Sequence, residues 1–187
     1  SYDRFGREVQ LHEYFMSNGE INANLQREME YTTILADRIV DRYFKENIVL
    51  SSHVVAFLAF KFLEKTYPQL DLFGVLRLPP DGFVFPKEIM LNAIEQFQKV
   101  LIEQEEAGKI KLSRQIRYTA EELLRNGVRN LGTYHVNKPL VFDDRDRLVS
   151  QDFKLLYFYH NRLANYHFEE YIAWKEITRR EVETEMA

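Results

Sequence analysis

Residues 51–63 read SSHVVAFLAFKFL, and wound into a helix the run VVAFLAFKFL is apolar nearly all the way round. Such a helix has no face to give to water, so it belongs at the centre of a bundle, with other helices packed about it. Ser51-Ser52 offers hydroxyls suited to an N-cap, and Tyr67-Pro68 marks the end. The apolar stretch from Ile48 to Leu63 is about 16 residues long and is interrupted by Ser51, Ser52, His53 and Lys61, whereas a membrane-crossing helix needs roughly 20. The segment therefore predicts a buried helix and not a transmembrane span.

The flanking segments supply what such a helix must pack against. Ile21, Leu25, Met29, Thr32, Ala36, Ile39 and Tyr43 recur at steps of three or four, which predicts an amphipathic helix over residues 20–46, opened after the break at Asn18-Gly19. Residues 69–85 read as short helix or loop, with Pro79-Pro80 and Asp81-Gly82 as a linker. Pro86 sits where a first-turn proline belongs, and the following helix runs to Gly108. Lys109 to Tyr118 alternates basic and apolar residues, which suits a short half-exposed strand. Thr119 caps a helix through Leu131, with Glu121 and Glu122 in its first turn, where the helix dipole favours negative charge. Leu140 to Val149 reads as a β-hairpin with a polar turn. From Ser150 onward the pattern predicts one long helix whose face carries Phe153, Leu156, His160, Leu163, His167 and Trp174.

The fold class expected is mainly α, a helical bundle of five or six helices with a small β-hairpin. Composition agrees: 14 Phe, 11 Tyr and 1 Trp fill the helix faces, while only 7 Gly and 5 Pro argue against a turn-rich all-β chain. A winged-helix subdomain is a minority reading, with helix and hairpin far apart in sequence for a compact version.

Charge and chemistry exclude several functions. The 25 basic and 29 acidic residues give a formal charge of -4, the wrong balance for a protein held on nucleic acid by phosphate neutralisation. Without cysteine there is no disulfide framework, no thiolate metal site and no thiol nucleophile, which suits a cytoplasmic chain. There is no Gly-x-Ser-x-Gly elbow and no closely spaced glycines to cradle phosphate. His160 and His167, on one face of the expected helix, would stand about 10 Å apart, too far to share one metal ion. Ser51, Ser52 and His53 either cap the central helix or face an anionic ligand or neighbouring domain, since a helix N-terminus presents free N–H groups. Lys109, Lys111, Arg114 and Arg117 are either a solvated strand face or a contact for an anionic membrane surface.

Read with its flank DRIVDRYFKEN, the segment IVLSSHVVAFLAF resembles the region downstream of the catalytic domain in the large glycerol-3-phosphate acyltransferases of bacteria and mitochondria. FGREVQLHEYF is similar to the strand that closes the acyltransferase domain of that family, KEIMLNAIEQF to one of its later helices, and PLVFDDRDRLVSQDFKLLYFYHNRLANY to a hairpin and the helix after it. These pieces span roughly residues 4–172 in the family's order. The resemblance implies that residues 1–18 end a preceding acyltransferase domain and that 19–187 form a helical C-terminal domain. The parent enzyme would transfer an acyl group from coenzyme A or acyl carrier protein to glycerol-3-phosphate, the first step of phospholipid synthesis. The domain's partners would be that upstream catalytic domain and an anionic membrane surface, with the protein peripheral on the inner face of the membrane. The family's catalytic pair is a histidine and an aspartate five positions later. Here the residues five after His12, His53, His135, His160 and His167 are Ser17, Leu58, Leu140, Asn165 and Ile172, so no catalytic residue carries over and no metal or cofactor is implied. Of the family's motif positions, Ser51, Ser52 and His53 remain. The competing expectation is a stand-alone helical interaction or regulatory module.

Overall fold

A computed structural model of the chain describes Met16–Ser17, Glu20–Ile21 and residues 25–174, with side-chain environments from Met29 to Trp174. Residues 1–15, including the expected strand FGREVQLHEYF, and residues beyond 174 lie outside the described set. The chain divides into two units, Ser1–Asn47 and Ile48–Ala187.

In the first unit, β1 (Met16–Ser17) pairs antiparallel with β2 (Glu20–Ile21). Helix α1 (Leu25–Glu46) follows, shorter than the expected 20–46 because Glu20–Ile21 pairs as a strand. Its ion pairs Lys45–Asp41 (2.7 Å) and Arg42–Glu46 (3.3 Å) are spaced one turn apart on an exposed surface.

The second unit is built round α2 (Ser51–Thr66), the helix that the apolar run predicts. Every residue from Val54 to Phe60 is fully buried, together with Leu63. Each Phe or Leu so buried contributes roughly 1.5–3 kcal/mol of transfer free energy. The neighbours are α3 (Leu72–Leu76), α4 (Lys87–Glu106), α5 (Ala120–Asn130) and α6 (Phe153–Ala164). Helix α6 runs antiparallel to α2, since Phe57 faces His160 (5.4 Å between ring centres) and Phe60 faces the earlier Tyr157 (5.1 Å). Phe97 of α4 closes on Phe57 from another side at 5.4 Å. The described residues are mainly helical, with six helices and small sheets, and the five helices of the second unit form a bundle, the fold class that the sequence pattern predicts.

Helix starts follow local chemistry. Thr119 and Glu122 form a reciprocal capping box on α5, the Glu122 N–H donating to Thr119 Oγ1 (3.3 Å) and the Thr119 N–H to Glu122 Oε2 (3.2 Å). Asp152 caps α6, its Oδ1 accepting from the N–H groups of Lys154 (2.8 Å) and Leu155 (3.1 Å).

Four further expectations are corrected. The alternation over 109–118 is a strand only at β5 (Lys111–Leu112), which pairs parallel with β3 (Ile48–Val49); Arg114–Arg117 is wound into a 3₁₀ turn. The linker segment contains β4 (Val84–Phe85), which joins β6 (Val141–Phe142) and β7 (Leu148–Val149) in a three-stranded antiparallel sheet of order β4-β7-β6. The helix after Ser150 is not continuous: α6 ends at Ala164, His167 takes a left-handed conformation (φ 55°), and a 3₁₀ turn spans Phe168–Tyr171. His160 and His167 therefore do not share a helix face. Ser51 and Ser52 are the first residues of α2, and Leu50 holds the cap position.

Candidate functional site

The start of α2 is assembled by long-range contacts. The buried Ser51 hydroxyl donates to Gln115 Oε1 at 2.9 Å, and the Ser113 N–H donates to the Val49 carbonyl at 2.9 Å. The motif triplet and the basic stretch thus lie side by side, a juxtaposition that their separation in sequence hides. The Ser113 hydroxyl is buried there without a hydrogen-bond partner.

His53 sits three residues inside the helix, and its Nδ1 accepts the Leu50 N–H at 3.3 Å. A nitrogen that accepts a backbone proton carries none, so the neutral ring bears its hydrogen on Nε2. Burial, and then the Arg162 charge, push the His53 pKa down to about 4. The ring is therefore neutral near pH 7, and its basic nitrogen is already used in ending the helix. Ser52 is half-buried beside it. In these contacts Ser51 and His53 act as capping and packing groups.

The four basic residues are divided by the structure. Lys111 stands opposite Ile48 in the parallel pair, Arg114 opens the 3₁₀ turn, and Lys109 follows the left-handed Gly108. Arg117 is ion-paired with Glu105, whose other oxygen accepts the Leu112 N–H at 2.9 Å. All four side chains are exposed, and Arg117 is balanced by its own acidic neighbour.

Comparison with models of protein families, with curated proteins and with solved structures finds no match. No group of three or more metal-ligating side chains occurs among the described residues. None of their helices is long and apolar enough to cross a membrane.

Three arrangements escaped the sequence reading. Lys87, Glu121, Arg125 and Asp146 form a surface ion network that ties α4, α5 and the hairpin tip: Arg125 reaches Asp146 Oδ1 and Oδ2 at 3.1 and 2.9 Å, and Lys87 reaches Glu121 at 3.0 Å. The hydrogen bond from Arg125 holds Asp146 below the usual carboxylate range. His160 lies 4% exposed among Phe57, Phe60 and Tyr157, with no hydrogen-bond partner for either ring nitrogen. Burial, and then the Lys61 charge, lower its pKa to about 4 against smaller opposing effects of Asn161 and Glu169. The third is the loop between α5 and β6, where Tyr134 is 100% and Val136 97% exposed. Periodicity places His160 on an apolar helix face but not among these rings, and it gives no signal for the other two, because each depends on which distant elements meet.

Proposed function

We propose that this chain supplies the helical domain that accompanies the catalytic domain of a glycerol-3-phosphate acyltransferase-like enzyme, acting as a rigid packing partner at the cytoplasmic face of a membrane. The acyl transfer would be performed by the accompanying catalytic domain, with acyl coenzyme A or acyl carrier protein as donor. The observation that supports this reading is the use made of the motif triplet. Ser51 bonds to Gln115, and His53 caps the helix on which the whole core is built. A motif spent on holding a central helix fits a scaffold role better than proton transfer, which needs a free basic nitrogen within reach of substrate.

The test has two arms. Purified chain, given acyl coenzyme A and glycerol-3-phosphate, is expected to show no turnover above background. The coding region upstream of Ser1 is expected to encode a histidine followed five positions later by an aspartate. Turnover by residues 1–187 alone would overturn the scaffold role, and an upstream region lacking that pair would overturn the acyltransferase assignment.

A further inference from the structure

We infer that the loop joining α5 to β6, together with the outer face of α6, is a docking surface for an anionic lipid bilayer. This rests on the membrane part of the proposed function and names the surface that would carry it.

Tyr134 and Val136 are as exposed as side chains can be, at 100% and 97%. Between them His135 turns back to the protein, its Nε2 lying 3.1 Å from the Tyr159 hydroxyl of α6. Phe158, the next residue back along α6, is also exposed. Three large side chains of apolar body are thus presented to solvent by two adjoining segments, against the tendency of such groups to be covered.

The loop is stiffly built. The Lys138 ammonium donates to the Gly132 and Thr133 carbonyls (3.0 and 3.2 Å), the Thr133 hydroxyl donates to the Asn130 carbonyl (3.2 Å), and the His135 N–H donates to the Gly132 carbonyl (3.0 Å). Lys138 and Gln151 exchange hydrogen bonds through the Lys138 backbone, at 2.7 Å to Gln151 Oε1 and 3.0 Å from the Gln151 N–H. Gly132 has φ 64°, and an added Cβ would lie 2.4 Å from the Pro139 ring, so the turn admits no larger residue. Loops without such bonds could fold their apolar tips inward; this one holds Tyr134 and Val136 out. Pre-organisation of that kind lowers the ordering cost of binding.

Charge selects the partner. No acidic residue occurs between Glu122 and Asp143 or between Asp152 and Glu169, while those stretches carry Arg125, Arg129, Lys138, Lys154 and Arg162. Arg125 is engaged by Asp146 and Lys138 by the loop carbonyls; Arg129, Lys154 and Arg162 are exposed. Three exposed cations in stretches without acidic residues, on a chain of net charge -4, favour an anionic partner. Protruding tips need a deformable counter-surface, and tyrosine, with its apolar ring and polar hydroxyl, suits the headgroup level of a bilayer.

Flotation with vesicles of phosphatidylcholine and phosphatidylserine, and of phosphatidylcholine alone, tests the assignment. The chain is expected to float with the mixed vesicles, and flotation should weaken as salt rises. Tyr134→Ser with Val136→Ser should weaken binding by about tenfold or more, and Arg129→Gln with Arg162→Gln by about 25-fold, at about fivefold per cation. Phe73→Ser, at an exposed phenylalanine on α3, should leave it unchanged. Tyr134→Trp should show a blue-shifted emission component with the mixed vesicles, which reports insertion in a folded chain. Flotation that persists undiminished in the loop variants, with no shift from Tyr134→Trp, overturns this surface while leaving the membrane reading intact. Failure to float with either vesicle overturns both, and would turn attention to an acidic protein surface as the partner.

Discussion

Gly127→Ala puts the packing of α5 on α2 to a direct test. Alanine is the better helix former by about 1 kcal/mol, so on an exposed helix the change would stabilise. Here the added Cβ would fall 2.5 Å from Val55 Cγ2 and 2.7 Å from the Ser51 carbonyl oxygen. Carbon atoms rest at about 3.5–4.0 Å, so the helices must part by about 1 Å. Neither neighbour can step aside: the Ser51 oxygen is backbone, and Val55 is fully buried, branched at Cβ and confined to essentially one rotamer in a helix. Moving α5 outward loosens Leu123, Leu124 and Val128 and pulls at the helix start held by Ser51 and Gln115. Overpacking typically costs about 1–3 kcal/mol, and a backbone clash lies toward the upper end. Set against the propensity gain, the net is a loss of about 1–2 kcal/mol. With a urea slope of about 1–3 kcal/mol/M, the unfolding midpoint should fall by on the order of 0.5–1 M at unchanged slope. A midpoint equal to or above that of the parent chain would refute the close approach.

Acid should destabilise the second unit in a defined window. His53 and His160 are held at about 4 in the folded state against 6.5 unfolded, so between these values the unfolded chain binds more protons and stability falls as pH falls. For the deeply buried His160 the loss by pH 4 is on the order of 3 kcal/mol. Urea midpoints measured from pH 7 to 4 should decline accordingly, and His160→Leu, which also removes two unpartnered nitrogens, should flatten the decline; an unaltered profile in that variant would show that His160 is not its source. Asp152→Ala removes the acceptor for two N–H groups of α6 and should cost about 1 kcal/mol in thermal or urea unfolding, whereas no change would mean that water serves the cap equally well.

Much of the bundle is legible because its signals are local. The run VVAFLAFKFL cannot be anything but a buried helix, and Thr119 with Glu122 announces α5 through a bond pattern confined to four residues. The hairpin at 140–149 is legible for the same reason. The break after Ala164 is not, because no glycine or proline marks it. His167 accepts the left-handed conformation there, and the turn lets Phe168 meet Phe97 edge-on at 5.4 Å, a tertiary reward that outweighs local preference. The alternation over 109–118 misled because period two describes a strand only where a partner strand exists. Ile48–Val49 is two residues long, and beyond it the backbone winds up. The candidate site divides along the same line: Ser51 and His53 stand out in sequence, but their use in capping and in bonding to Gln115 depends on contacts that sequence order does not reveal. Likewise, nothing in GTYHVNK says that Tyr134 and Val136 face solvent.

The sheet β4-β7-β6 joins Val84 to Val149 and Val149 to Val141 through strands of two residues each. Strands so short cannot hold together unaided, and the β4–β7 pairing closes a long loop whose entropy must be met first. The sheet is thus a late event in folding, possible once α4, α5 and α6 have already brought its ends within reach. Its pairing acts as a seal on the bundle, and because Phe85 and Leu148 are buried in the core, the seal opens only when the helices behind it part.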